Sequence, residues 1–346
     1  MKALLFYLLV CLCAVTSVAA QDAPVINTVL RCDTSEILLA IKNGYVLQHV
    51  DVDSSIHVLK DALAKSRKFG FDNGIAGALV CLGLDYNAEG NEKESLVSYL
   101  QAMPYALRCR YNKELLATLY TGIGTPYLSK RDYSQAGYYY YKALQEVMNN
   151  GLQHSVIASH LYINLSDFWM DMGQPAYTLK YLLQSEKVAL YNKDSASLIA
   201  VYGSLANFYH DHNNTDKAES YTLLALSLAE KMKNIPFQQV ILTNMGSYLR
   251  DEKQSLQAIP YFQKAISLSD DEHAYQHNLG SYYNLAFCYY DIGDDARAKK
   301  FAYTAFQQAQ KLGLHEKDFG IAIWILAKVC DKKKIMHRHI IGSINM

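Results

Sequence analysis

The sequence predicts an all-α protein built from antiparallel helix pairs that stack into a solenoid. A motif of one aliphatic, one small and one large residue recurs six times, at steps of 40 to 42 residues. Each motif is followed by a second column of small residues, and the 346 residues include only six prolines, so that long helices are allowed. Since each repeat packs mainly on its neighbours, length alone does not fix the number of domains.

The first 20 residues predict a secretory signal peptide. Lys2 precedes an apolar stretch from Ala3 to Val15, and residues 17–20, Ser-Val-Ala-Ala, supply the small side chains of a cleavage site. The stretch is shorter than the ~20 residues that a membrane-spanning helix needs. We therefore expect cleavage after Ala20 and an exported protein, periplasmic or extracellular, with a retained signal anchor as the alternative.

Six units between residues 75 and 315 share two sets of positions. In the first helix of each unit the motif reads Leu82-Gly83-x-x-Tyr86, Ile123-Gly124-x-x-Tyr127, Leu165-Ser166-x-x-Trp169, Leu205-Ala206-x-x-Tyr209, Met245-Gly246-x-x-Leu249 and Leu285-Ala286-x-x-Tyr289. In the second helix two small residues stand seven positions apart, at 95 and 102, 136 and 143, 178 and 185, 218 and 225, 258 and 265, and 298 and 305. Small residues in register allow two helix backbones to approach closely.

These motifs resemble the signature of the tetratricopeptide repeat, in which two such helices form one unit. The resemblance covers residues 75–315 and implies a right-handed α-solenoid with a concave groove that binds proteins or peptides. Exported tetratricopeptide proteins and sensor domains of Bacteroidetes are similar. The step of 40 residues exceeds the usual ~34, and six more residues would add about 9 Å of helix, so we expect long second helices.

The two ends of the array are expected to be irregular, as terminal repeats are. Residues 21–74 read as a degenerate capping repeat, with Lys42-Asn43 where the aliphatic and small residues belong. Residues 316–330 read as the start of a further repeat, since Ile325-Leu326 follows Leu285-Ala286 by 40 positions. Residues 331–346 form a basic tail.

Two columns of polar residues are predicted to face a partner. At 100° per residue, the position before the motif and the position six after its first residue point away from the packed face. The first column contains Asn164, Ser204, Asn244 and Asn284, and the second contains Asp171, Asp211, Asp251 and Asp291. Amides suit the backbone of an extended peptide, and similar tetratricopeptide proteins use an asparagine in this way, whereas the carboxylates favour a basic segment or an amino group.

The alternative is that both columns serve the fold. Asparagines would then form hydrogen bonds between repeats, and aspartates would cap the next helix or pair with a lysine. Against this, a carboxylate in the last turn opposes the helix dipole by roughly 0.3–1 kcal/mol, which asks for a compensating partner.

Aromatic residues flank the same face in the last complete repeat. Tyr283, Phe287 and Tyr290 fall within 60° of one another on a helical projection. They are predicted to form a patch that binds a partner's side chain. Alternatively, the helix predicted at residues 317–330 covers them.

Other function classes lack support in the sequence. The formal net charge is +0, so there is no basic field for nucleic acid. Known catalytic and nucleotide-binding motifs are absent, and the alternate side chains of His210-Asp211-His212 diverge by 200° on a helix, which argues against a metal site. The five cysteines that follow the leader are expected to be buried thiols, with a Cys32 disulfide as the alternative. We expect no enzyme activity, no cofactor and no metal.

The sequence thus predicts a scaffold that holds a protein or an extended peptide in its groove, outside the cytoplasm. The alternative is the sensor portion of a membrane-spanning signalling or transcriptional regulator, truncated before its membrane helix and effector domain. The sequence leaves the oligomeric state open.

Overall fold

The computed structural model describes residues 27–48, 51–109, 112–268, 275–311, 320 and 324–328. Within these ranges the chain forms helices and turns, and no strand. The predicted signal peptide, the basic tail and the Cys32 side chain lie outside the described residues. The chain divides into two compact units, which meet in sequence between Asp194 and Ser195.

The first unit contains four helix pairs among its described residues. They are α1 (Asn27–Leu47) with α2 (Val52–Lys68), α3 (Asp72–Ala88) with α4 (Glu92–Ala106), α5 (Lys113–Ser129) with α6 (Tyr133–Asn149), and α7 (Val156–Asp171) with α8 (Pro175–Asn192).

The second unit contains three helix pairs among its described residues. They are α9 (Ser195–Asp211) with α10 (Thr215–Lys231), α11 (Ile235–Asp251) with α12 (Ser255–Ser267), and α13 (Tyr275–Asp291) with α14 (Asp295–Lys311). Residues 324–328 are also helical. The predicted all-α fold of antiparallel helix pairs is confirmed.

The expectation of long second helices is wrong. From α3 onward the first helices have 16 or 17 residues, and the second helices have 13 to 18. Helices end at tight turns in which a left-handed residue stops the backbone, such as Gly90 and Asn213. The following helix is capped by a polar side chain: Asn91 Oδ1 accepts from Glu94 N at 3.3 Å. In the pairs from α3 onward other than α11 with α12, the lengths of the two helices differ by at most two residues.

The space between the helices of a pair is filled by matched residues. A Cβ atom added to Gly83 would lie 2.5 Å from the Tyr99 ring, and one added to Gly246 would lie 2.7 Å from the Phe262 ring. Where the first helix carries alanine instead, the facing position is small. The pairs at these two columns are Gly83/Tyr99, Gly124/Tyr140, Ser166/Leu182, Ala206/Thr222, Gly246/Phe262 and Ala286/Ala302, with every alanine, leucine and aromatic member buried.

The opening pair follows the same packing, with a shift of one residue. Ser55 Oγ donates to Gly44 O at 2.8 Å, as Ser95 Oγ donates to Gly83 O at 2.8 Å. A Cβ on Gly44 would meet the Leu59 side chain at 2.7 Å. Gly44, rather than Lys42-Asn43, therefore takes the position of the small residue.

Replacing Gly246 with alanine is expected to destabilise the second unit by about 1–3 kcal/mol, because the new methyl group overlaps the Phe262 ring. Chemical denaturation followed by circular dichroism measures this. The matched control is Gly203→Ala in α9, where a Cβ meets nothing within 4 Å; there the lower entropy of the unfolded chain should stabilise by about 0.5–1 kcal/mol. Equal effects of the two substitutions would contradict the overlap.

Candidate functional site

The candidate site lies in the second unit, on the side of α9, α11 and α13 that carries Ser204, Asn244 and Asn284. We call this side the first-helix face. All three polar side chains are half-buried, and the aspartates of the second column are the last residues of these helices and are exposed. In the first unit, Asn164 and Asp171 hold the same positions on α7.

Asn284 forms hydrogen bonds between neighbouring repeats. Its Oδ1 accepts from Arg250 Nη1, and its Nδ2 donates to Ser247 Oγ at 3.3 Å, both partners lying on α11. The same two helices are joined where Gln239 Nε2 donates to Asn278 Oδ1 at 3.0 Å. Asn284 thus makes hydrogen bonds between repeats, as in the alternative, and its partner-binding role stays a prediction.

Asn164 makes a different contact. Its Nδ2 donates to His160 O at 3.1 Å, one turn earlier in its own helix. The asparagine column therefore does not have one shared function, and a partner-binding role for Asn164, Ser204 and Asn244 stays a prediction.

The aspartates of the second unit differ in how fully their charges are compensated. Asp251 Oδ1 accepts from Arg250 Nε at 3.0 Å and from Arg250 Nη2 at 2.6 Å. Asp291 Oδ2 accepts from Ser255 Oγ at 2.6 Å. The Asp211 carboxylate is 64% exposed and lies 3.7 Å from His210 Nδ1. Asp211 is thus more accessible than Asp251, whose side chain is 48% exposed.

A cavity of about 700 Å³ opens at the first-helix face. Its described lining comes from α11, α13, the turn after α11 and the segment beyond α14: Arg250, Asp251, Lys253, Tyr283, Asn284, Phe287, Asp291, Gly320 and Trp324. Five of the predicted site residues therefore meet around one cavity.

Aromatic rings form much of the cavity wall. Trp324 packs edge-on against Tyr290, with ring centroids 5.5 Å apart, while Tyr283 and Phe287 line the cavity itself. The Arg250 guanidinium lies 5.7 Å from the centre of the Phe287 ring. Trp324 of the following segment thus contacts Tyr290, and the partner-binding role of the three aromatic residues stays a prediction.

Chemically reactive groups are not gathered here. Cys288 lies on α13, and burial raises the pKa of its thiol to about 11, so it stays protonated at neutral pH. His210 stacks on Tyr248 and His212 stacks on Phe208, with ring centroids 4.2 Å apart in each pair. The two imidazoles therefore pack against different rings.

No three His, Cys, Asp or Glu side chains in the described ranges are grouped to hold a metal ion. No helix within those ranges has both the length and the apolar character needed to cross a membrane.

The sequence model of the tetratricopeptide repeat matches residues 240–272, which include most of α11 and all of α12. The chain therefore contains a tetratricopeptide repeat at these residues. Its helix pairs are those of such repeats, and the fold is typical of protein-interaction scaffolds. Comparison with curated protein sequences gave no match.

Solved structures share this tetratricopeptide-repeat fold. A signal transduction ATPase with a tetratricopeptide repeat sensor, from Pyrococcus horikoshii, has a TM-score of 0.63 and 16% identity, with 86% of this chain and 43% of that chain covered. A Rap protein complexed with competence and sporulation factor has a TM-score of 0.61 and 13% identity, with 81% of this chain and 78% of that chain covered. A tetratricopeptide repeat protein from Parabacteroides merdae has a TM-score of 0.53 and 15% identity, with 85% and 99% covered.

Sequence reasoning missed Trp324 and Arg250, although the tetratricopeptide register contained a signal for one of them. Ile325 stands 40 positions after Leu285, so Trp324 occupies the same column as Asn284. Arg250 belongs to the column five residues after the first residue of the motif, and no periodic polar pattern distinguishes that column. Its role depends on contacts with Asn284 and Asp251 that only the folded unit reveals.

Proposed function

We propose that this protein is a non-catalytic scaffold that binds an extended segment of a protein or peptide outside the cytoplasm. The observation that carries the proposal is the cavity of about 700 Å³ at the first-helix face. Binding sites are concave, lined mostly by apolar and aromatic side chains, and contain a few oriented polar groups. The structural likeness to a Rap protein complexed with competence and sporulation factor supports the same class of function.

The bound segment would run along the first-helix face and place one residue in the cavity. Asp211 lies on the same face at the end of α9, and its exposed carboxylate favours a basic residue elsewhere in that segment. Such an exposed charge acts mainly on the association rate and is screened by salt, while a desolvated contact in the cavity controls dissociation.

Photo-crosslinking tests where the partner binds. A photoreactive benzoylphenylalanine replaces Phe287 in the cavity or, as the matched control, Tyr303 on α14, which is 53% exposed and outside the cavity lining. The chain spanning residues 21–346 is then irradiated with extract from its native compartment. We expect a discrete adduct from position 287 that position 303 does not give. Equal labelling at both positions would refute binding at the first-helix face.

The predicted carboxylate contact has its own measurement. Asp211→Asn is expected to reduce the association rate of the captured partner by about threefold at low salt, and by much less at 0.5 M salt, because screening removes the attraction. Asp216→Asn, an exposed site in the first turn of α10, is the control. A loss that does not depend on salt would rule out the electrostatic role.

Action outside the cytoplasm rests on the leader-like residues 1–20. Fusing residues 1–40 to alkaline phosphatase, which needs disulfides formed in an oxidising compartment, tests it. We expect the unmodified fusion to be active. We expect it to be inactive when Leu8→Arg and Leu9→Arg interrupt the apolar stretch. Cytoplasmic retention of the unmodified fusion would remove this part of the proposal.

A second candidate is the input portion of a sensor. It is favoured by the likeness to the Pyrococcus horikoshii ATPase, in which the repeat is described as a sensor and of which this chain spans 43%. The full transcript discriminates between the two. A reading frame that continues into a membrane helix and an effector domain would favour the sensor.

A further inference from the structure

Four polar side chains of the cavity lining already have hydrogen-bond partners within the second unit. Arg250 binds both Asp251 and Asn284, Asn284 also donates to Ser247, and Asp291 accepts from Ser255. A hydrogen-bonding group that already has its partner gains little from a ligand, because the new bond only replaces an existing one. These side chains therefore offer a ligand little net polar stabilisation.

The formal charges of the lining also cancel. Arg250 and Lys253 are positive, and Asp251 and Asp291 are negative. Cations of the chain already lie near the aromatic walls: the Arg250 guanidinium is 5.7 Å from the Phe287 ring centre, and Lys328 Nζ is 6.0 Å from that of Trp324. A further cation entering the cavity would meet these positive groups, so the lining disfavours a basic occupant.

Ring surfaces remain as the contact area of the cavity. Tyr283, Phe287 and Trp324 line it, and Trp324 is 44% exposed although Tyr290 packs against its edge. Removing such surface from water favours binding, and aromatic pairs add to this when they stack at an offset or edge to face.

We propose that the cavity at the end of α11 and α13 receives one uncharged aromatic or aliphatic side chain of the bound segment as its anchor. The inference rests on the proposed function and specifies the chemistry of one residue of the partner. The polar and charged side chains at the rim hold the walls in place, and the rings provide the attraction.

Intrinsic fluorescence tests the anchor directly, because the chain has two tryptophans. In the Trp169→Phe variant, Trp324 becomes the reporter of the cavity. The probes are the N-acetyl amides of phenylalanine, leucine, lysine and arginine, titrated in 50 mM and 500 mM NaCl. The phenylalanine and leucine amides should give a saturable shift of Trp324 emission, and salt should not weaken their binding. Phe287→Ala should weaken this binding about tenfold, and Tyr303→Ala should leave it within about twofold.

Each other outcome overturns the inference. Stronger binding of the arginine or lysine amide, weakened by salt and by Asp291→Asn, would make the anchor basic. No saturable response to any of the four amides would mean that the cavity holds no side chain. Crosslinking at position 287 would still support the scaffold in that case, so failure of the anchor and failure of the scaffold remain distinguishable.

Discussion

Replacing Tyr99 with alanine is expected to lower the free energy of unfolding of the first unit by about 3–5 kcal/mol, the range for truncating a large buried aromatic residue. The Tyr99 side chain is 1% exposed. Its ring lies between two glycines: a Cβ added to Gly83 of the same pair, or to Gly122 on α5, would lie 2.5 Å from it. Neither neighbouring backbone can move far enough to fill the space that alanine would leave.

Chemical denaturation gives the overall change, and hydrogen exchange of the amides in α3 to α6 locates it. Tyr138→Ala on α6 is the matched control, since that ring is 53% exposed and its loss should change stability by less than about 1 kcal/mol. Similar losses for the two variants would show that Tyr99 does not hold α4 against α5.

Replacing Asp85 with asparagine is expected to stabilise the protein by about 2–3 kcal/mol at pH 7.5 and to have little effect at pH 4. Asp85 is fully buried on α3, and burial raises its pKa to about 6. Its Oδ2 lies 2.6 Å from Ser55 Oγ, while Oδ1 has no hydrogen-bond partner among the described residues.

The neighbouring hydroxyl explains why the neutral acid fits. Ser55 has one hydroxyl proton but lies within hydrogen-bond distance of both Gly44 O and Asp85 Oδ2. If Ser55 donates to the carbonyl, a protonated Asp85 donates to Ser55, and both contacts are satisfied. When Ser55 instead donates to Asp85, that hydrogen bond lowers the pKa, and the like charge of Glu89 raises it; burial remains the largest effect.

The sign of the pH dependence follows from the raised pKa. Below the ordinary aspartate pKa of about 4, both states are protonated and the stabilising contact is fully present. As pH rises through the folded value of about 6, the folded state loses that advantage. Asparagine keeps a donor toward Ser55 and has no charge to ionise, so it keeps its stability at high pH.

Thermal unfolding between pH 4 and pH 8 measures this difference, with Asp61→Asn as the control. Asp61 pairs with Lys65 at 2.8 Å while both side chains are more than half exposed, so its removal should change stability by less than about 1 kcal/mol. A pH profile of Asp85→Asn parallel to that of the unmodified protein would show that Asp85 is not the titrating group.

The fold was largely predictable because its packing depends on the residue type at a few repeated positions, and each of these positions can be read from the sequence by itself. Small residues at Gly83 and Ala102, repeated at fixed steps, identify close helix approach without knowledge of what fills the space. The irregular opening pair was harder. A shift of one residue places Gly44 in the column, and the shift is revealed by the hydrogen bond from Ser55 to its carbonyl and by its close approach to Leu59.

The site was less predictable because a repeated position shows which way a side chain points from its helix and does not show which side chains it contacts. Projection onto a helix put Asn284 and Asp251 on the same face, and both line the cavity. It did not reveal that Arg250 binds both of them, since this depends on the relative position of α11 and α13. Periodicity thus predicts which residues share a surface, and the spacing of neighbouring helices decides which of them are already engaged.

The matched glycine and aromatic positions between paired helices restrict how this sequence can change. Converting Gly124 and Tyr140 into the alanine and threonine found at Ala206 and Thr222 requires two substitutions, and either one alone passes through an overlap or a void. Evolution along this chain should therefore proceed by coupled replacements within a repeat. For protein engineering, exchanging a whole helix pair keeps the match within that pair, whereas a single helix grafted from another repeat would bring only one of the two matched residues.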